Sequence, residues 1–566
     1  METNLPRRSA AIIQRFSHLF EPILSRIRAF SGRNPDLTFA LLAASGLVTI
    51  YNWRFWNSFL EVMPVKSTAD AGFAIVLLML LIWLHAAVLL VVPSRTIMRA
   101  ATCALIIAGA ICAFFADTYK IQIDRDMIRN VAQTELTEAM GLLNLTLIIY
   151  LLLLGVAPVW LLTRVRLPTV STKRFFAQRF AGIFLGAIVV IIGIMPYSGQ
   201  FATFLRTHKP LRYLINPGNA FHATWRYIHH ETSLSQKPLV DVDGVITRTT
   251  SVAENKPLLV VFVVGETARA TNFQFLGHED ATTPLLGKRE DLYRFSNVSS
   301  CGTSTAISLP CIFSGLGRKD FDVGAPVERT NLLDTLNKAG VMVEWRDNNT
   351  GCKGICERIP NVQFKPGIDS ALCKQDYCYD EILLSRLGES ILANKKDQLR
   401  VLHQIGSHGP AYWRRYPSQF ERFTPTCRTN DLSKCTKEEI HNTYDNTIVY
   451  TDYVLDRTIS MLENLSEQYD TALLYISDHG ESLGEKGLYL HGAPYRFAPK
   501  DQKHVPMVLW LSSGFQQRLL LSSACIRGMQ NQPLSHDIVY HTILGMMQVR
   551  NLVYSRSQDM LLRCRQ

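Results

Sequence analysis

Three apolar runs beyond residue 250 are each followed at once by residues able to do chemistry. The run 258–264 leads into Gly265-Glu266-Thr267, the run 471–477 into Asp478-His479-Gly480-Glu481, and the run 399–405 into Gly406-Ser407-His408-Gly409. Glu266, Asp478 and His479 together offer two carboxylates and an imidazole, a credible zinc-ligand set that leaves one position open, as a catalytic metal requires. A fourth segment, Ser300-Cys301-Gly302-Thr303-Ser304-Thr305-Ala306, precedes a helix-like stretch running to about residue 314. Hydroxyls beside a glycine at a helix N-terminus suit a phosphate, because free N–H groups and the helix dipole favour an anion there. A zinc-coordinated hydroxyl has its pKa lowered towards the alkoxide, which makes it an effective nucleophile. The simpler reading is that these Ser and Thr residues only cap a helix. His408, and His491 in the loop Gly487-Leu488-Tyr489-Leu490-His491-Gly492, could bind a second metal or give a proton to a leaving alkoxide. A lone loop histidine is more often incidental.

The elements needed to bring these residues together are legible in the pattern. Pro257 is followed by Leu258-Leu259-Val260-Val261-Phe262-Val263-Val264, a continuous apolar run rich in β-branched residues, of the kind found in central strands covered on both faces. Comparable runs occur at 399–405, 471–477 and 505–511, with helical patterns between them such as 328–339 and 437–464. Alternating strands and helices predict an α/β sandwich around a mostly parallel sheet. Ligands of such sheets sit in the crevice at the carboxyl ends of the strands, where Glu266, Asp478, His479 and His408 all emerge. No internal repeat and no long low-complexity segment interrupts the pattern.

The first two hundred residues are different. Five stretches with few or no charges, near 37–57, 72–92, 98–116, 142–162 and 181–197, approach or reach the length that crosses a hydrocarbon core of about 30 Å. Trp53, Arg54 and Trp56 end the first in the manner of an interfacial belt. Six arginines between Arg7 and Arg33 precede that stretch. Arg95 and Arg99 follow the second, and Arg164, Arg166, Lys173, Arg174 and Arg179 follow the fourth. The loop after the third is instead acidic, with Asp117, Asp124, Asp126, Glu135 and Glu138 against three basic residues. The positive-inside rule then predicts a cytoplasmic N-terminus and an external chain beyond residue 197. The first run reads as an anchor, since it begins too far in for a signal peptide, shows no A-x-A site and is followed by further spans. Residues 10–30 carry apolar side chains at helical spacing with arginines between, which fits an interfacial helix or a loosely ordered tail. The expected organisation is a cytoplasmic segment 1–36, a five-helix membrane domain 37–197, an aromatic and basic connector 198–250 suited to a membrane surface, and a catalytic domain 251–566. The formal net charge of +11 does not indicate nucleic acid: much of the excess lies in the cytoplasmic loops, where topology and anionic lipids account for it.

Cysteine usage supports an external second half. Cys301 and Cys311, Cys352 and Cys356, Cys373 and Cys378, and Cys427 and Cys435 are close pairs beyond the membrane segments. They read as local disulfides that clip loops rather than as zinc knuckles, whose CxxC spacing none of them has. Cys103 and Cys112 lie in a span as buried thiols, and Cys525 and Cys564 are left without an assigned partner.

Val264-Gly265-Glu266-Thr267, Cys301-Gly302-Thr303-Ser304-Thr305-Ala306, Ser407-His408-Gly409 and Ser477-Asp478-His479-Gly480-Glu481-Ser482, in this order behind five spans, resemble the lipid A phosphoethanolamine transferases. That family includes the mobile colistin-resistance enzymes, and the resemblance covers essentially the whole chain. It implies an alkaline-phosphatase/sulfatase-like periplasmic domain in a bacterial inner-membrane protein, with zinc on Glu266, Thr305, Asp478 and His479. It also implies His408 and His491 at the substrate or a second zinc, and Asn349 and Lys353 at the phosphoethanolamine group. The implied reaction takes phosphoethanolamine from phosphatidylethanolamine to a lipid A phosphate through a phosphoethanolamine-Thr305 intermediate, with polymyxin resistance as the consequence. A monomer is expected. Thr303, Ser304 and Glu481 lie near the site without an assigned role. The rival readings are a sulfatase, disfavoured because Thr305 lacks the Cys/Ser-x-Pro/Ala-x-Arg context, transfer of phosphoethanolamine or glycerol phosphate to another envelope glycan such as core heptose, and a non-enzymatic periplasmic sensor or assembly module.

Overall fold

A computed structural model of the chain describes residues 32, 34–133, 142–165, 167–234, 238–249, 256–321 and 328–566. The 10–30 segment lies outside the described residues. Two compact units are formed, one from the chain up to Asp117 with Leu145–His222, the other from Thr118–Asn144 with Ala223–Gln566. The division falls within the 198–250 segment read as a connector, and the acidic loop after the third stretch belongs to the second unit.

Four described helices of the first unit are long and apolar enough to cross a membrane: α2 (Thr68–Val91), α3 (Arg95–Thr118), α4 (Leu145–Arg164) and α5 (Thr172–Phe201). The stretch 37–57 is broken into α1 (Pro35–Thr49), a 3-10 turn Ile50–Asn52 and a helical segment Trp53–Val62. Asn52 accounts for the break. Its buried amide donates to Leu47 O at 2.8 Å and Asn216 O at 2.7 Å, and its Oδ1 accepts from Asn216 N at 2.7 Å. Within α4, Pro158 has no N–H for the carbonyl of Leu154, and the Tyr51 hydroxyl supplies that hydrogen bond. Buried Asp36 at the start of α1 accepts from Arg95 Nε at 2.8 Å and Nη2 at 2.7 Å and lies 3.4 Å from Arg179. Residues from three of the segments read as cytoplasmic therefore meet at one end of the bundle. Phe201 and Phe204, from the start of the connector, are buried with Phe55, Phe59 and Phe73.

The second unit is built on one sheet. Its strands are β1 (Leu258–Gly265), β2 (Leu292–Ser299), β3 (Met342–Asp347), β4 (Asn361–Gln363), β5 (Gln398–His403), β6 (Asp470–Ser477), β7 (His504–Leu511) and β8 (Leu534–Ser535). The eight strands lie in the order β8-β2-β7-β6-β1-β5-β3-β4. Neighbours are parallel except β7, which is antiparallel to both β2 and β6. Every residue of β1 is buried, as its unbroken apolar run requires. Leu258, Val260, Phe262 and Val264 face a core shared with α6 (Thr305–Ser314) and α8 (Asp537–Met546). Leu259, Val261 and Val263 face another, covered by α7 (Lys437–Asn464). Helix α7 begins at a reciprocal cap between Thr436 and Glu439, which explains its sharp start.

All four expected cysteine pairs are disulfides: Cys301 with Cys311, Cys352 with Cys356, Cys373 with Cys378, and Cys427 with Cys435. Cys525 bonds Cys564 as a fifth, which the sequence left unpaired. Only the Cys301 bridge clips the turn that leads into Thr305. Cys352 and Cys356 are buried in the core shared with α6 and α8, while Cys427 and Cys435 belong to the core under α7. The Cys352–Cys356 and Cys427–Cys435 bonds therefore brace the fold.

Candidate active site

Strands β6, β1, β5 and β3 are consecutive and parallel, so their carboxyl ends share one edge of the sheet. Their registers are level there: Gly265 pairs Ser477, Val264 pairs His403, and His403 pairs Asp347. The next residues are Glu266 from β1, Asp478 and His479 from β6, the loop to His408 from β5, and Asn348–Asn349 from β3. Backbone bonds lock the edge. Asp478 N donates to Gly265 O at 2.9 Å, and Ser407 N to Glu266 O at 3.0 Å. Gly406 has φ +50°, and a Cβ there would stand 2.6 Å from the Glu266 carbonyl oxygen. Only glycine lets the β5 loop pass so close.

Thr305, the first residue of α6, projects onto this edge. Its Oγ1 donates to Glu266 Oε2 at 3.0 Å and Oε1 at 3.2 Å and lies 3.4 Å from His479 Nε2. The helix-cap reading of the hydroxyl cluster is thereby displaced. Ser304 holds the cap position without bonding the helix, and its buried Oγ has no partner among the described residues. Thr303 instead donates to Ala493 O at 2.6 Å, and Thr303 O accepts from Gly492 N at 2.7 Å, which ties the His491 loop to the Thr305 loop. The Cys301–Cys311 disulfide clips the same turn. The His536 ring bridges it to β6, accepting at Nδ1 from Cys301 N at 3.1 Å and donating from Nε2 to Ser477 O at 3.0 Å.

The electrostatics suit a cation. Glu266, Asp478 and His479 are fully buried, and a ligand atom from each lies within 4.8 Å of the others. His479 Nδ1 donates to Gly480 O at 2.8 Å, so in the neutral ring the lone pair is on Nε2, 3.3 Å from Glu266 and 3.4 Å from Asp478. Asp478 Oδ2 is buried without a hydrogen-bond partner. Burial and the neighbouring Glu266 carboxylate push the Asp478 carboxyl up to about 7. His479 is held up to about 10 against the cost of burial by Asp478 and Glu266. Glu266, against its own desolvation, is held well below the usual carboxylate range by His479. Two buried carboxylates this close repel, and a divalent ion among them offsets both the repulsion and the orphaned oxygen. These residues fit a metal.

The remaining predicted residues surround that centre at different distances. The His491 ring lies 4.5 Å from that of His479 and 5.4 Å from that of buried His408. Asn349 Nδ2 donates to Glu266 Oε2 at 2.8 Å. Lys353 Nζ donates to Thr350 O and Oγ1 at 2.9 Å each.

Comparison with known proteins matches two family models: one described as phosphoethanolamine transferase EptA/EptB over residues 81–232, and one described as sulfatase over 259–549. The phosphoethanolamine transferase EptA of Escherichia coli (strain K12) is 36% identical over 535 residues, covering 94% of this chain and 97% of that one. The phosphatidylethanolamine transferase Mcr-2 of Escherichia coli is 39% identical over 490 residues, 84% of this chain and 90% of that one. The chain belongs to the phosphoethanolamine transferases. The solved structure of the integral membrane lipooligosaccharide phosphoethanolamine transferase A from Neisseria meningitidis agrees at a TM-score of 0.88 and 34% identity, covering 94% of this chain and 99% of that one. The sulfatase-type model fits the second unit, and the transferase-type model reaches across the last spans to the connector.

Within this transferase two buried networks were not read from the sequence. Asp347 Oδ2 lies 3.1 Å from His403 Nδ1, and His403 Nε2 lies 3.2 Å from the Asn349 amide that bonds Glu266. Both residues are the last of their strands, so strand-end placement was the available signal. Glu481, also fully buried, lies 3.4 Å from His491 Nδ1 and accepts from the Tyr412 hydroxyl at 3.2 Å. Burial and Glu481 raise the Tyr412 pKa well above its usual range, which keeps that hydroxyl a donor.

Proposed function

We propose that the protein transfers phosphoethanolamine from phosphatidylethanolamine to a phosphate of lipid A, with Thr305 carrying the group between two half-reactions. The carrying observation is the Thr305 hydroxyl, which caps nothing and is aimed by Glu266 at a buried carboxylate–imidazole cluster on the sheet edge. Zinc held by Glu266, Thr305, Asp478 and His479 would acidify that hydroxyl and offset charge on the phosphoryl oxygens. In the first half-reaction Thr305 Oγ1 bonds to phosphorus, the bond to the diacylglycerol oxygen breaks, and diacylglycerol leaves after taking a proton. His491, beside His479 and braced by Glu481, is placed to give that proton, with His408 behind it. In the second half-reaction a lipid A phosphate oxygen bonds to phosphorus and Thr305 departs and is reprotonated. Asn349 holds Glu266 in place, and Lys353 adds positive charge beside the donor phosphate. In the alternative arrangement His408 and His491 would hold a second zinc in place of the proton-donor role.

The anchor crosses the inner membrane five times, α1 with its continuation serving as the first span, with the N-terminus in the cytoplasm and the catalytic unit in the periplasm. The meeting of Asp36, Arg95 and Arg179 at one end of the bundle supports that orientation. Both substrates are lipids, so a membrane-held monomer searches a surface instead of a volume. Transfer would lower surface negative charge and with it polymyxin susceptibility.

Mass spectrometry of lipid A from cells expressing the parent chain or Thr305→Ala tests the reading. Phosphoethanolamine-bearing lipid A is expected only with the parent. Its absence with the parent, or its presence with the variant at equal expression, overturns the proposal.

A further inference from the structure

Beside the catalytic cluster the second unit holds a cavity of about 380 Å³, within the ~300–1,000 Å³ typical of small-molecule sites. Asn349 and His408 form its inner wall, the same two residues that border Glu266 and His491. Its outer wall carries Lys365, Arg414 and Arg415 with Tyr377, against the single carboxylate of Asp376. We infer that this cavity is the acceptor subsite, where Lys365, Arg414 and Arg415 hold the phosphorylated sugar headgroup during the second half-reaction. The inference rests on the transfer to a lipid A phosphate proposed above.

Charge separates the two substrates. The donor headgroup ends in an ammonium, which three cations facing one carboxylate repel. The acceptor presents a phosphate monoester that carries between one and two negative charges at neutral pH. Arg414 is prepared for such a partner. Its Nη1 donates to Asp376 Oδ2 at 2.6 Å, while its buried Nε has no partner among the described residues. Its guanidinium lies 5.7 Å from the ring centroid of Tyr377, which also lines the cavity, so an aromatic surface for the sugar adjoins the charge for its phosphate. Arg415 Nε donates to His408 O at 2.8 Å, which links the cationic wall to the loop carrying His408. Lys365 is exposed at the rim, where a charge can be reversed without disturbing the core.

In a ping-pong scheme kcat/KM for each substrate reports only its own half-reaction, which makes the assignment separable. Full-length parent, Lys365→Glu and Arg414→Gln in mixed micelles are assayed with phosphatidylethanolamine and lipid A varied in turn, with unfolding temperatures as the check on folding. The expected result is a fall of about tenfold in kcat/KM for lipid A in each variant, the scale of one charged hydrogen bond, with kcat/KM for phosphatidylethanolamine within about twofold. An unchanged lipid A value in folded Lys365→Glu overturns the inference. A loss confined to phosphatidylethanolamine overturns it too, by giving the cavity to the donor headgroup. Failure of the parent to modify lipid A at all refutes the function reading itself.

Discussion

Thr305 differs from Thr303 and Ser304 in what its oxygen touches: two carboxylate oxygens at 3.0 and 3.2 Å and an imidazole at 3.4 Å, in a fully buried cluster. Sequence alone left these hydroxyls between nucleophile and helix cap, since both roles ask for Ser or Thr before a helix. Side-chain direction sets Thr305 apart from a helix cap, and no local pattern encodes it. Asn349 was legible only through resemblance, and the Asp347–His403 pair behind it was not legible at all, because a buried polar pair at strand ends looks in sequence like any polar residue entering a loop. Gly406 gives a sharp test at this scale. Gly406→Ala at φ +50° forces a methyl against the Glu266 carbonyl, at a cost of roughly 1–3 kcal/mol. A fall in unfolding temperature together with a loss of transfer is expected. Unchanged values of both would show that Glu266 does not depend on that close approach.

At the scale of elements, apolar runs located β1, β5, β6 and β7 within a residue or two, and the helical pattern 437–464 matches α7. The antiparallel setting of β7 and the short strands β4 and β8 were not legible, since a buried strand reads alike in either direction and three residues carry no period. The turn before α6 depends on supports from elsewhere, and two measurements probe them. Breaking the ten-residue Cys301–Cys311 loop by Cys311→Ser is expected to cost about 2–4 kcal/mol of stability and to reduce transfer, read by denaturant unfolding and by lipid A modification. His536 is pushed down from its ordinary 6.5 to about 3, chiefly by burial. Its folded pKa lies below the unfolded one, so the unfolded chain binds more protons between pH 6.5 and 3. The stability from neutral His536 is present above pH 6.5 and lost as pH falls towards 3, at up to about 1.4 kcal/mol per pH unit. In His536→Asn that share of the acid slope disappears from unfolding curves; an identical slope would assign the acid sensitivity to other groups.

Over the whole molecule, charge distribution and apolar length separated an anchor from a catalytic unit. The division at His222 and the return of Thr118–Asn144 to the second unit were beyond the sequence, because they follow from long-range contacts that no local pattern encodes. The break at Asn52 was equally hidden, being made by a partner 164 residues away. The buried Glu266, Asp478 and His479 form a group that could hold a cation. Chelation of the full-length protein is predicted to lower its unfolding temperature and zinc to restore it, by about 3–4 kcal/mol at a hundred to a thousand times the dissociation constant. An unfolding temperature indifferent to chelator and zinc would show that Glu266, Asp478 and His479 are stable without a metal. The most direct test of the account is the intact mass of the protein after exposure to phosphatidylethanolamine without lipid A. A mass increase of one phosphoethanolamine group, located on Thr305 by peptide fragmentation and discharged when lipid A is added, is the predicted result. A glycerol phosphate adduct, or no adduct on Thr305 while diacylglycerol is still released, would contradict it.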